Sequence, residues 1–150
     1  MYIVYESRRG RARRAAEAVA ENAAAHGVPS LLRSISSAVP NDILEAPALI
    51  AGCWAKIDTP GGGEPVRTMA KWIENLPELH GKPIGLFCTY TFFPHTFADT
   101  ATRTAEALSL LGRAIEEKGG KVVSSHSLYF KAFEKSAGIV VDEVLQHTGI

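Results

Sequence analysis

The chain has 150 residues, 46% of them hydrophobic, enough to build one substantial core, so a single domain over residues 1–150 is expected. Its 16 Lys and Arg balance 16 Asp and Glu, which gives no basic excess for nucleic acid or a membrane surface; yet Arg8, Arg9, Arg11, Arg13 and Arg14 crowd together, leaving the remainder acidic and marking one local site for an anion. Two cysteines, Cys53 and Cys88, are too few for a disulfide framework or a thiolate metal site. With no apolar run near the roughly 20 residues of a membrane span and no signal-peptide pattern, they point to a soluble protein of the reducing cytoplasm.

Tyr2, Ile3, Val4 and Tyr5 form a short β-rich run that stops at polar Glu6 and Ser7, as a buried central strand should. After Gly10, residues Ala15, Ala16, Val19, Ala20, Ala23 and Ala24 recur at helical spacing until Gly27 and Pro29 close the helix. Residues 30–35 alternate weakly and suit a sheet edge, and residues 39–46 hold one helical turn between Pro40 and Pro47. In residues 48–53 nothing wants water on either face, the mark of a parallel strand covered on both sides. Residues 54–64 read as a long loop made flexible by Gly61, Gly62 and Gly63. Pro65 then opens a helix with Val66, Met69, Ala70, Ile73 and Leu76 on one face. A buried strand at 84–88 is followed by the longest helix, whose stripe is Ala101, Ala105, Leu108, Leu111 and Ile115 and whose end is Gly119 and Gly120. Residues 121–128 supply the last strand, and Ala137, Val140, Val141, Val144 and Leu145 a closing helix.

This alternation predicts an α/β fold in three layers, α-β-α, with one five-stranded parallel sheet and right-handed crossovers. Ligands of such sheets sit beyond the carboxyl ends of the strands, at the point where strand order reverses. That rule selects three loops. In the first, Ser7, Arg8, Arg9, Gly10, Arg11 and Ala12 lead from strand to helix, so backbone N–H groups, the positive helix end and arginine forks converge where a phosphate fits. The alternative is a solvated basic first turn, although cations are disfavoured at a helix N-terminus. The second loop opens with Gly52, Cys53, Trp54 and Ala55. The third carries Thr89, Tyr90, Thr91, Phe92, Phe93, Pro94 and His95. Their rings either bury a flat heterocycle by stacking or merely cover the strand ends.

Cys53 and Cys88 end neighbouring strands and read either as a redox pair or, in better accord with a reducing compartment, as two small core thiols. His95 either touches a ligand or is plain surface, and the scattered His26, His80, His126 and His147 have no metal-ligand spacing. Without a nucleophile elbow, no catalytic residue is assigned. Asp58 and Glu64 flank the glycine run as solvated charges or as a docking rim.

The sequence resembles the flavodoxin family over nearly its whole length: in residues 2–7 leading into the glycine loop, in Gly52 and Cys53 with Trp54 following, in residues 81–87 and in residues 114–123. The resemblance implies the strand order 2-1-3-4-5 and non-covalent FMN, with residues 7–12 holding the phosphate and Trp54 and Tyr90 bracketing the isoalloxazine. It further implies electron transfer between redox protein partners, a reductase and an acceptor. Where the family's loop is rich in hydroxyls, this chain keeps Ser7 and Gly10 and places Arg9, Arg11 and Ala12. Guanidinium contacts then replace hydroxyls, or the site prefers a ligand with more negative charge. The other readings are a flavodoxin-fold module without flavin, acting through protein contacts or another phosphorylated ligand, and an FMN-dependent small-molecule reductase with His95 or Tyr90 lining its pocket.

Overall fold

A computed structural model describes residues 1–90, 97–129 and 132–150. In chain order it contains β1 (Tyr2–Glu6), α1 (Arg11–Ala25), β2 (Leu31–Ser34), α2 (Pro40–Glu45), β3 (Leu49–Trp54), a 3-10 turn (Pro60–Gly62), α3 (Glu64–Glu74), β4 (Pro83–Tyr90), α4 (Phe97–Glu117), β5 (Lys121–Tyr129) and α5 (Phe133–Leu145). The strands form one parallel sheet in the order β2-β1-β3-β4-β5, the expected flavodoxin-like order, which reverses between β1 and β3.

Alternation along the strands sorts their side chains onto two cores. On one face Ile3, Ile50, Phe87 and Leu128 pack against Ala15, Ala16 and Val19 of α1 and against Ala137, Val140 and Val144 of α5. The small alanines let α1 lie close to the sheet. On the other face Val4, Leu49, Ala51, Cys53, Leu86 and Cys88 meet Ile43 of α2, Val66, Met69 and Ile73 of α3, and Leu111 and Ile115 of α4. β3 is buried along all but its last residue, as a strand covered on both sides must be, whereas β2 at the edge is nowhere fully buried. Gly52 is required by packing: a Cβ there would lie 2.1 Å from the Phe87 ring.

Two expectations fail. The stripe expected on α4 holds at Leu111 and Ile115, both fully buried, but fails in the first turns: Ala101 and Ala105 are exposed, Leu108 is half-buried, and the inward row there is Thr100, Thr104 and Ala107. Threonine can occupy that row because the Thr104 hydroxyl donates to the Thr100 carbonyl at 2.8 Å, so no polar atom of it is left without a partner. The glycine run after β3 is likewise no free loop. Gly61 and Gly62 have φ of 70° and 84° inside the 3-10 turn, and a Cβ on Gly62 would lie 2.6 Å from Val66 and 3.0 Å from Ala107. Here the glycines permit close packing on α4.

Among the described residues no helix is long and apolar enough to cross a membrane, and no group of three or more His, Cys, Asp or Glu could hold a metal ion.

Candidate functional site

β1 ends at Glu6, the chain turns through residues 7–10, and α1 begins at Arg11. The turn depends on Gly10, whose φ of 83° and ψ of −4° place it in the left-handed region that an L side chain resists. Its N–H donates to Ser7 Oγ at 3.0 Å, and its carbonyl accepts the Arg14 N–H at 3.0 Å, the first bond of the helix. No side chain caps α1 and no acidic residue lies in its first turn. The positive end of the helix dipole lies beside a small recess of about 10 Å³, the room of a single water, lined by Ser7, Arg8, Arg9, Arg11, Ala12 and Trp54. Nothing lies within 4 Å of where a Gly10 Cβ would be, so the turn faces open space.

The arginines divide. Arg8 is engaged by acids: its guanidinium donates to Glu64 Oε1 at 3.0 Å, and its Nε lies 3.8 Å from Glu6 Oε1. The bond to Glu64 raises the Arg8 pKa and lowers that of Glu64. Arg13 pairs with Glu17 along the exposed side of α1 at 3.1 Å. Arg9 and Arg14 are exposed, and Arg11 is half-buried at the recess.

Glu6 is a residue that the sequence pattern marked only as the stop of the first strand. It is instead the last residue of β1, its side chain is only 13% exposed, and its Oε2 is buried with no partner among the described residues. Burial raises the Glu6 pKa; Arg8 opposes that rise and Glu64 adds to it. The one signal in the sequence was an acid abutting an apolar run.

The second loop follows β3, and its Trp54 borders this recess; the third follows β4. Gly52 lies against Phe87, and Ala55 is buried with its N–H donating to the Thr89 carbonyl at 2.9 Å. Cys53 and Cys88 are register partners, both fully buried and both free thiols. Contact with Cys88, then burial, pushes the Cys53 thiol well up, which keeps it in the unreactive neutral form. Thr89 is buried and its hydroxyl has no partner among the described residues. Trp54 is half-buried at the α1 side of the sheet, whereas Tyr90 packs on the α3 and α4 side. The two rings thus flank the carboxyl edge of the sheet from opposite faces. Tyr90 also has a ring neighbour, Tyr129 on β5, at 5.6 Å between centroids and 31° between planes; burial and then Tyr129 raise its phenol pKa. Thr91, Phe92, Phe93, Pro94 and His95 lie outside the described residues.

Between these two loops the segment 55–63 is tied down. Lys56 N–H donates to the Gly62 carbonyl at 2.7 Å, and Gly61 N–H donates to Glu106 Oε2 on α4 at 2.8 Å. That Gly61 bond lowers the Glu106 pKa, with Arg103 helping. At the amino end of the sheet another groove is lined by Met1, Tyr2, Pro29, Leu31, Asp42 and Glu45 among others. Its two carboxylates and its distance from the switch point make it the poorer place for an anion.

The sequence matches no protein-family model and no curated protein. Its structure is similar to those of flavodoxins. Flavodoxin 2 from Bacillus cereus, in its oxidised form, superposes with a TM-score of 0.72 at 18% identity, over 97% of each chain. A mutant flavodoxin from Fusobacterium nucleatum bound to flavin mononucleotide gives a TM-score of 0.72 at 15% identity, over 98% of this chain and 95% of that one. A Streptococcus pneumoniae flavodoxin gives 0.68 at 19% identity, over 97% of each chain. At such identities the likeness is one of fold, and the chain has the flavodoxin fold along its length.

Proposed function

We propose that this chain binds FMN non-covalently at the carboxyl end of its sheet and passes electrons between cytoplasmic redox proteins, a reductase and an acceptor. The observation that carries this reading is the uncapped, acid-free start of α1, which opens from the Gly10 turn onto a recess shared with Trp54. Helix N–H groups and the dipole attract a phosphate there. In this reading the Ser7 hydroxyl and the backbone of residues 7–12 hold the phosphate, with Arg9 and Arg11 adding charge-assisted bonds. Arg8 contributes only if it leaves Glu64. The isoalloxazine lies between Trp54 and Tyr90, its edge against the backbone of Gly52, Cys53, Ala55 and Thr89. Bound flavin supplies one- and two-electron chemistry; the chain's part is to bind it, orient it and shield one edge from water. The FMN complex of the Fusobacterium nucleatum flavodoxin, which shares the fold, supports the choice of ligand.

The engagement of Arg8 by Glu6 and Glu64 favours a second reading, a flavodoxin-fold module that takes another phosphorylated ligand or acts through protein contacts. Titrating FMN into the purified protein while following flavin fluorescence separates the two. Saturable quenching, with riboflavin binding more weakly, fits FMN; unchanged fluorescence excludes it.

A further inference from the structure

We infer that Glu6 couples phosphate binding in the cradle of residues 7–12 to the uptake of a proton: the phosphate takes Arg8, and the Glu6 carboxyl becomes neutral. This rests on the reading that the cradle receives a phosphate.

Glu6 directly precedes the cradle, and its register partner on β3 is Cys53, so its side chain lies on the α3 side of the sheet. The groups that face it among the described residues are few. They are Arg8 from its own loop, Glu64 from the start of α3 and the Cys53 thiol from β3, with Lys56 and Arg67 behind Glu64. Only Arg8 meets Glu6 as a cation, at 3.8 Å, and it is shared with Glu64 at 3.0 Å. A carboxylate with one oxygen buried and unpartnered is held by that single contact, because desolvation otherwise disfavours its charge.

A phosphate monoester brings about −1.5 to −2 charges at neutral pH. Arriving beside Ser7, it acts on Glu6 twice in the same direction. It competes for the Arg8 fork, which matches phosphate geometry, and it adds a like charge near a poorly solvated carboxylate. Protonation of Glu6 removes both penalties, and the neutral carboxyl then has an O–H to donate.

The test is calorimetric titration of FMN into the full chain and its Glu6→Gln variant between about pH 5.5 and 8, in buffers of different ionisation enthalpy, with riboflavin as the phosphate-free probe. The native chain should take up more protons per FMN than the variant, and its affinity should fall more steeply as pH rises. Riboflavin should show no such difference. The phosphate's own titration is common to both chains and cancels in the comparison. Equal proton uptake and equal pH slopes would overturn the inference. A direct reading on the native chain guards against a misfolded variant: the NMR titration midpoint of the Glu6 carboxyl should rise by about one unit or more, tenfold in its proton equilibrium, when FMN binds. An unmoved midpoint would also overturn it. If FMN binds neither chain, the flavin reading fails by itself. Inorganic phosphate, followed through the amide shifts of residues 7–12, then decides the linkage, with the same pH midpoint in both chains, or no shift at all, counting against it.

Discussion

Two glycine-bearing segments meet at the carboxyl rim of this sheet, and they use glycine for opposite ends. In residues 7–10 the left-handed Gly10 turns the chain so that the helix start faces open space, with nothing within 4 Å of its missing side chain. In residues 55–63 the left-handed Gly62 lets the backbone settle onto Val66 and Ala107, while Gly61 is bonded to Glu106. Glycine content alone therefore says nothing about mobility or about ligand binding; what each N–H and each missing Cβ faces decides both. The packed segment donates to a carboxylate on α4, whereas the open segment closes one local bond, from Gly10 N–H to Ser7 Oγ, and leaves the start of α1 without a side-chain cap.

Substitution should separate them most sharply. Gly62→Ala combines a strained φ, about 1–2 kcal/mol, with overpacking of about 1–3 kcal/mol, so urea unfolding should show a loss of roughly 2–5 kcal/mol. Gly10→Ala meets no neighbour and should lose only the conformational part, about 1–2 kcal/mol. Equal losses in the two variants would erase the distinction. On the open segment, Arg9→Ala should leave stability unchanged and weaken FMN by up to about fivefold, with riboflavin binding unaltered, as befits one exposed charge contact. A matching loss for riboflavin would place Arg9 away from the phosphate.

The smallest effect concerns acid. Glu106 has its pKa lowered by the Gly61 bond and by Arg103, so its stabilising share is present above the ordinary glutamate pKa and is lost as pH falls through the lowered folded pKa. Melting curves of Glu106→Gln and of the native chain should accordingly differ at neutral pH and converge in acid. A gap of constant width would mean that the tether does not depend on the carboxylate.

Much of this architecture can be read in the residues, and the exceptions share a cause. The runs at Tyr2 to Tyr5 and at Leu49 to Cys53 are apolar on both faces, so they specify buried parallel strands, and the alternating helices specify a sheet covered on both sides; the strand order is implied only by the family resemblance. The failures are tertiary. The inward row of α4 starts at Thr100 and Thr104 because a local hydroxyl bond satisfies them, whereas a search for apolar letters settles on Ala101 and Ala105, one position away. The partner of Arg8 stands 56 residues off, and that of Gly61 45 residues off, separations no local pattern encodes. At the site, the switch-point rule locates the three loops, but it is silent on which of their residues face outward. Trp54 borders the recess, while Cys53, Ala55 and Thr89 are buried.

The central claim is that the open segment, and not the packed one, receives the phosphate of FMN. Amide chemical shifts recorded while FMN is added to isotopically labelled protein test it most directly. The account predicts the largest changes at residues 7–12, with changes at Trp54 and Tyr90 and little movement at residues 60–62. Shifts centred on the groove between Met1, Asp42 and Glu45, or no shifts at all, would contradict it.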